Sequence, residues 1–101
     1  MWVVIFRATV RTGDDEYDRV ARRLRQLALE EFGCLRFVAA TDDAGEVAIS
    51  YWPTEESIRA WRRHAEHVIA QETGRERWYE AYDVDVAREE RSHAWRRGER
   101  R

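Results

Sequence analysis

The ten residues MWVVIFRATV, Met1 to Val10, decide how the rest of the chain is read. They are β-branched and aromatic, which favours a strand, and turn residues cluster just after them at Thr12-Gly13-Asp14-Asp15. Successive side chains of a strand point to opposite faces. Here Trp2, Val4, Phe6, Ala8 and Val10 fill one face, yet Val3 and Ile5 occupy the other. A sheet apolar on both faces must be covered on both. The segment has no basic flank before it and no small-residue cleavage site after it. It is also far shorter than the roughly 20 apolar residues of a membrane span. It reads as a strand of a soluble, cytoplasmic protein with no membrane contact.

Working outward, Asp15 to Phe32 carries Tyr17, Val20, Ala21, Leu24, Leu27 and Ala28 at helical spacing. Acidic residues fill its first turn, and Gly33 stands just past its end. Cys34 to Thr41 reads as a second strand with Leu35 and Phe37 on one side. Asp42-Asp43-Ala44-Gly45 reads as a hairpin turn, and Glu46 to Trp52 as a third strand stopped by Pro53. The third strand is apolar on both parities, with Val47, Ile49 and Tyr51 against Ala48 and Trp52. Thr54 caps a second helix bearing Ile58, Trp61, Ala65 and Ile69, which ends or breaks at Gly74. Trp78 to Ala87 then alternates as a half-buried fourth strand, with Tyr82, Val84 and Val86 opposite Asp83 and Asp85.

That order is the α+β, ferredoxin-like β-α-β-β-α-β sandwich, with both helices on one face of an antiparallel sheet. One hundred and one residues form a single domain, 1–101, closed by an Arg-rich tail from about 88 to 101. No third helix is expected for the open face, so a second copy of the chain is expected to cover it.

Eighteen basic and twenty acidic residues leave a net charge of −2, which argues against a nucleic-acid partner. The tail carries Arg96, Arg97, Arg100 and Arg101 near Trp95, but Glu89, Glu90 and Glu99 dilute it, so it reads as a solvated or partner-crossing segment. The lone Cys34 forms no internal disulfide, and no spacing of ligating residues suggests a metal site. All the basic residues are arginine, a bias that a GC-rich genome explains without invoking function.

Residues 49 to 91 resemble the antibiotic biosynthesis monooxygenase domain family. The markers are Tyr51-Trp52, Trp61 nine residues later, His64-Ala65-Glu66-His67, Gly74-Arg75, and Trp78-Tyr79 leading into the last strand. The resemblance implies a homodimer whose sheets pack face to face into a dimeric α+β barrel, each subunit keeping a pocket between sheet and helices. It further implies oxidation of aromatic phenols to quinones by O₂ with no flavin or metal cofactor. A haem-degrading branch of that family looks to require an Asn on the first strand, a Trp on the second helix and a His ten residues further on. Trp61 meets the second requirement, but Phe6 and Gln71 occupy the other two positions. Neither can act as a polar contact or iron ligand there.

If the substrate's own anion reduces O₂, the protein must supply an apolar cavity and a means of handling protons. Phe6, Leu24, Phe37, Trp61 and Tyr82 are the expected lining. His64 and His67, three residues apart with Trp61 a turn earlier, are the expected proton-transfer groups. Arg7 reads as an ion-pair partner of Asp83 or Asp85. The leading reading is a cofactor-independent monooxygenase acting on a small aromatic or quinone-type molecule. The alternative is a non-catalytic, small-ligand-binding or regulatory homodimer with the same fold.

Overall fold

Tyr17, Val20, Leu24 and Ala28 form a stripe that one surface must cover, and in the computed structural model that surface is a sheet. The structure describes residues 1–12, 14–71 and 74–98, less the side chains of Ala70 and Gln71. The elements are β1 (Trp2–Val10), α1 (Asp15–Glu31), β2 (Arg36–Thr41), β3 (Gly45–Trp52), α2 (Glu55–Gln71), α3 (Gly74–Trp78) and β4 (Tyr79–Arg88). The four strands form one sheet in the order β2-β3-β1-β4, every neighbour antiparallel. This is the ferredoxin-like α+β arrangement.

Register decides which side chains meet the helices. Val4 lies between Ser50 and Val86, Phe6 between Ala48 and Val84, and Ala8 between Glu46 and Tyr82. These residues face α1 and α2, and Val4 and Trp52 join Ala28, Cys34 and Ile58 in one buried cluster. A second cluster joins Tyr17, Val20, Leu24, Ala65 and Trp78. The opposite face pairs Val3 with Tyr51, Ile5 with Ile49, and Val38 with Ile49. Val38 and Val47 remain 45% and 41% exposed on that face, so the described residues leave it only partly covered.

The helix ends are fixed locally. The Asp14 carboxylate accepts the Tyr17 N–H at 2.8 Å, which satisfies an otherwise orphaned donor and holds that carboxyl below its usual range. At the other end Gly33 takes φ +80°, and the Cys34 N–H donates to the Ala28 carbonyl at 3.0 Å. That closure needs a left-handed residue, and glycine adopts it without a Cβ clash.

Two of the boundaries that differ from those read in the sequence bear on packing. Cys34 is spent on capping α1, so β2 begins at Arg36, and Leu35 lies outside the strand, 56% exposed. Trp78 belongs to the extra helical turn α3, not to the fourth strand. The turn tucks its indole beneath α1, 5.6 Å edge-on from Tyr17 and 1% exposed. Arg7 reaches both expected partners, at 3.5 Å from Asp83 and 3.1 Å from Asp85. All three side chains are exposed, so this ion pair adds little to stability.

Candidate active site

Small residues on the facing surfaces leave room between sheet and helices. Ala39, Ala48 and Ser50 on the sheet oppose Ala21 and Ala65 on the helices, and a cavity of about 310 Å³ opens among them. Its walls are largely apolar: Val4 and Phe6 from β1, Phe37 from β2, Val84 from β4, Leu24 from α1 and Trp61 from α2. Trp61 ties the two helices together, its indole N–H donating to the Leu24 carbonyl at 3.2 Å. Its ring lies 5.5 Å from Trp52 and 6.1 Å from Phe37, so its orientation is set by packing on both sides.

Phe6, Leu24, Phe37, Trp61 and Tyr82 thus surround a single cavity. The two histidines lie elsewhere. His64 is half-buried against Phe32 at 5.4 Å between ring centroids, His67 is exposed, and neither lines the cavity. The Gln71 side chain lies outside the described residues.

One end of the cavity is aromatic and polar. Tyr79 and Tyr82 stack edge-on at 5.3 Å, and Phe6 lies 5.9 Å from the first and 5.7 Å from the second. Tyr17 reaches in from α1, and its hydroxyl donates to the Glu46 carboxylate. Burial raises the pKa of Tyr17 far above that of free tyrosine, and the hydrogen bond and charge of Glu46 raise it further. Burial also pushes Tyr79 up to about 12, with the Glu46 charge adding to the effect. Both phenols stay neutral through the physiological range and present hydroxyls, not phenolates.

These shifts have a measurable consequence. A tyrosine whose folded pKa exceeds its unfolded value of about 10 contributes stability that is intact below pH 10. That contribution is lost as pH rises from 10 through about 12 for Tyr79, and further still for Tyr17. Urea unfolding is therefore expected to show nearly constant stability up to about pH 9 and a steep fall above 10. Tyr79→Phe should make that fall shallower.

Sequence reading passed over Tyr17, Tyr79 and Glu46 as lining residues. Glu46 has the parity of Ala48, Ser50 and Trp52, so the strand pattern alone aims it at the helices. The rim carries Arg22 and Arg25 from α1, flanking the apolar stripe, and Arg62 from α2. Among the described residues no group of three side chains could hold a metal ion. No described helix is long and apolar enough to cross a membrane.

Comparison with known proteins bears on what such a cavity belongs to. Residues 1–73 match the antibiotic biosynthesis monooxygenase family. The chain is a member of that family. The match runs from β1 through the second helix, and so takes in every cavity wall except that from β4. The uncharacterised protein YqjZ of Bacillus subtilis (strain 168) is 36% identical over 91 residues, covering 89% of this chain and 80% of its own. SnoaB, a cofactor-independent oxygenase from Streptomyces nogalater, superposes with a TM-score of 0.72 at 15% identity, covering 90% of this chain and 94% of its own. Rv0793 from Mycobacterium tuberculosis gives 0.72 at 16% identity, over 92% of this chain and 98% of its own. At such low identities the last two establish the shared fold.

Proposed function

We propose that this protein is a homodimeric, cofactor-independent oxygenase of a small aromatic or quinone-forming substrate. The observation that carries the reading is the cavity of about 310 Å³, walled by Phe6, Phe37, Leu24 and Trp61 and closed at one end by hydroxyls and a carboxylate. It has the size and character of a small-molecule site, apolar with a few convergent polar groups. Membership of the monooxygenase family and a fold shared with SnoaB support the same chemistry.

For an anthrone-type substrate the reaction balances simply. Loss of a proton gives a phenolate in resonance with a carbanion at the ring methylene, and this anion supplies electrons to O₂. The methylene becomes a carbonyl, one oxygen atom of O₂ stays in the product, and the other leaves as water with the two methylene hydrogens. Four electrons pass from substrate to O₂ in all. The apolar walls exclude bulk water from the anion and hold it flat.

The proposal is tested with an oxygen electrode and a panel of anthrones and hydroquinones. Enzyme-dependent uptake, one O₂ per anthrone converted, is the expected result, and a panel that gives only the buffer rate would reject it. Haem is expected to survive. Phe6 packs against Tyr82 on the cavity wall and offers no hydrogen bond, so incubation with haem and ascorbate should leave the porphyrin absorption unchanged.

The homodimer is proposed from the uncovered sheet face. Val3, Ile5, Val38, Val47, Ile49 and Tyr51 lie on the side away from α1 and α2 and need an apolar cover.

A further inference from the structure

We infer that Glu46 is the group that receives the substrate's hydroxyl proton, and that the cavity therefore selects ligands bearing a phenolic or enolic O–H. This rests on the small-molecule reading of the cavity given above. Glu46 sits on β3, half-buried, with its side chain on the helix-facing parity of the sheet and in the cavity wall. A half-buried carboxylate in a largely apolar recess is costly unless its oxygens find donors. Tyr17 supplies one, holding the carboxylate in place. The structure gives no second side-chain donor to Glu46 among the described residues, so acceptor capacity remains toward the cavity. A carboxylate accepts through about four lone-pair sites. A substrate hydroxyl is the complementary partner.

Groups of several elements share the cavity with this carboxylate. From β4 come the phenols of Tyr79 and Tyr82, and from α1 come Tyr17, Asp18, Arg22 and Arg25. Helix α2 adds Arg62 and Glu66, paired with each other at 3.7 Å. The uncharged residues opposite Glu46 in the sheet are Ala8 on β1 and Thr41 on β2. Glu46 is thus the carboxylate on the sheet side of the cavity, while Asp18 and Glu66 belong to its helical side. In the proton transfer the O–H bond of the substrate's phenolic or enolic form breaks (for an anthrone, the anthrol tautomer, whose hydroxyl hydrogen comes from the ring methylene), a bond to a Glu46 oxygen forms, and Glu46 later gives this proton to the departing water. The electron pair remains on the substrate oxygen, giving the anion that reacts with O₂.

Two measurements test this. The first is binding by calorimetry of 2-naphthol and of 2-methoxynaphthalene, which cannot donate. The wild type should prefer 2-naphthol by at least about tenfold, as expected for a hydrogen bond to a charged acceptor. In Glu46→Leu, shown folded by its thermal melt, that preference should vanish. A wild type with no preference, or a preference that survives in Glu46→Leu, overturns the inference. The second is oxygen uptake with an anthrone by Glu46→Gln, which keeps size and an acceptor for Tyr17 but not the base. Near neutral pH the rate should fall by about 10² to 10⁴. The deficit should shrink as pH passes the substrate's own ionisation, because the substrate then arrives as the anion. A loss equal at every pH marks a structural role and overturns the inference, as does an unchanged rate, while either leaves the oxygenase reading standing. If the naphthol preference holds but the wild type consumes no oxygen, the hydroxyl-reading role stands and the oxygenase reading falls.

Discussion

Val3→Asp combined with Ile5→Asp is expected to yield a monomer or an insoluble protein. Both residues lie on central strand β1, on the face turned away from the helices, opposite Tyr51 and Ile49 of β3. With Val47 of β3 and Val38 of the edge strand β2 they form an apolar patch on that face. The Arg7 pairs with Asp83 and Asp85 lie beside it, an exposed polar border of the kind that rims interfaces. A like surface on a second copy would cover this patch isologously. The two carboxylates on each copy would be buried there without partners, and a buried unpaired charge costs several kcal/mol. Sedimentation velocity at micromolar concentration should find the wild type dimeric and the double variant at half that mass or precipitated. A monomeric wild type would remove the homodimer from the account.

Trp52→Ala should have the largest effect on stability of any single truncation in the chain. The Trp52 ring is fully buried, and its N–H donates to the Ser50 hydroxyl at 2.8 Å, itself 3% exposed. The ring also backs Trp61 at 5.5 Å, so it supports the cavity wall from behind. Removing such a side chain costs about 3 to 5 kcal/mol, against a total of about 5 to 15 for a domain. The Ser50 hydroxyl would in addition lose a buried partner. Urea denaturation should show the midpoint falling sharply with little change in slope. Tyr51→Ala, one residue away on the opposite face, should disturb association more than unfolding, and the contrast between the two isolates the helix-facing core.

Much of this architecture can be read from period alone. A 3.6-residue stripe at Tyr17, Val20, Leu24 and Ala28 and the two-residue alternation of β4 declare themselves by their periods. The double parity of β1 and β3 likewise marked a sheet with two apolar faces. Boundaries were less legible where a residue serves a cap. Cys34 matches a strand by composition, yet its N–H is needed by Ala28, and Trp78 is drawn into α3 by the space beneath Tyr17.

The site was legible in its apolar part and obscure in its polar part. Phe6, Leu24, Phe37 and Trp61 follow from facing parities. Chemistry assigned by residue type points instead to His64 and His67, which sit off the cavity because Trp61, Ala65 and Ile69 form the inward stripe of α2. Glu46 escaped notice because an acidic residue beside a hairpin reads as solvated. Only the approach of Tyr17 from α1, a contact between residues 29 apart in sequence, turns it into part of the wall. The hairpin itself is close-fitting: a Cβ on Gly45 would meet the Ala8 carbonyl oxygen at 1.9 Å. That packing of β3 on β1 fixes the position from which Glu46 points inward.

The central claim, that this cavity incorporates oxygen into an aromatic substrate, is tested most directly by turnover of an anthrone under ¹⁸O₂ with mass analysis of the quinone. The account requires one ¹⁸O atom in the new carbonyl, measured at early times and corrected for exchange with water. Quinone formed at the enzyme-free rate, or an enzyme-dependent product whose new oxygen comes from water, would contradict it.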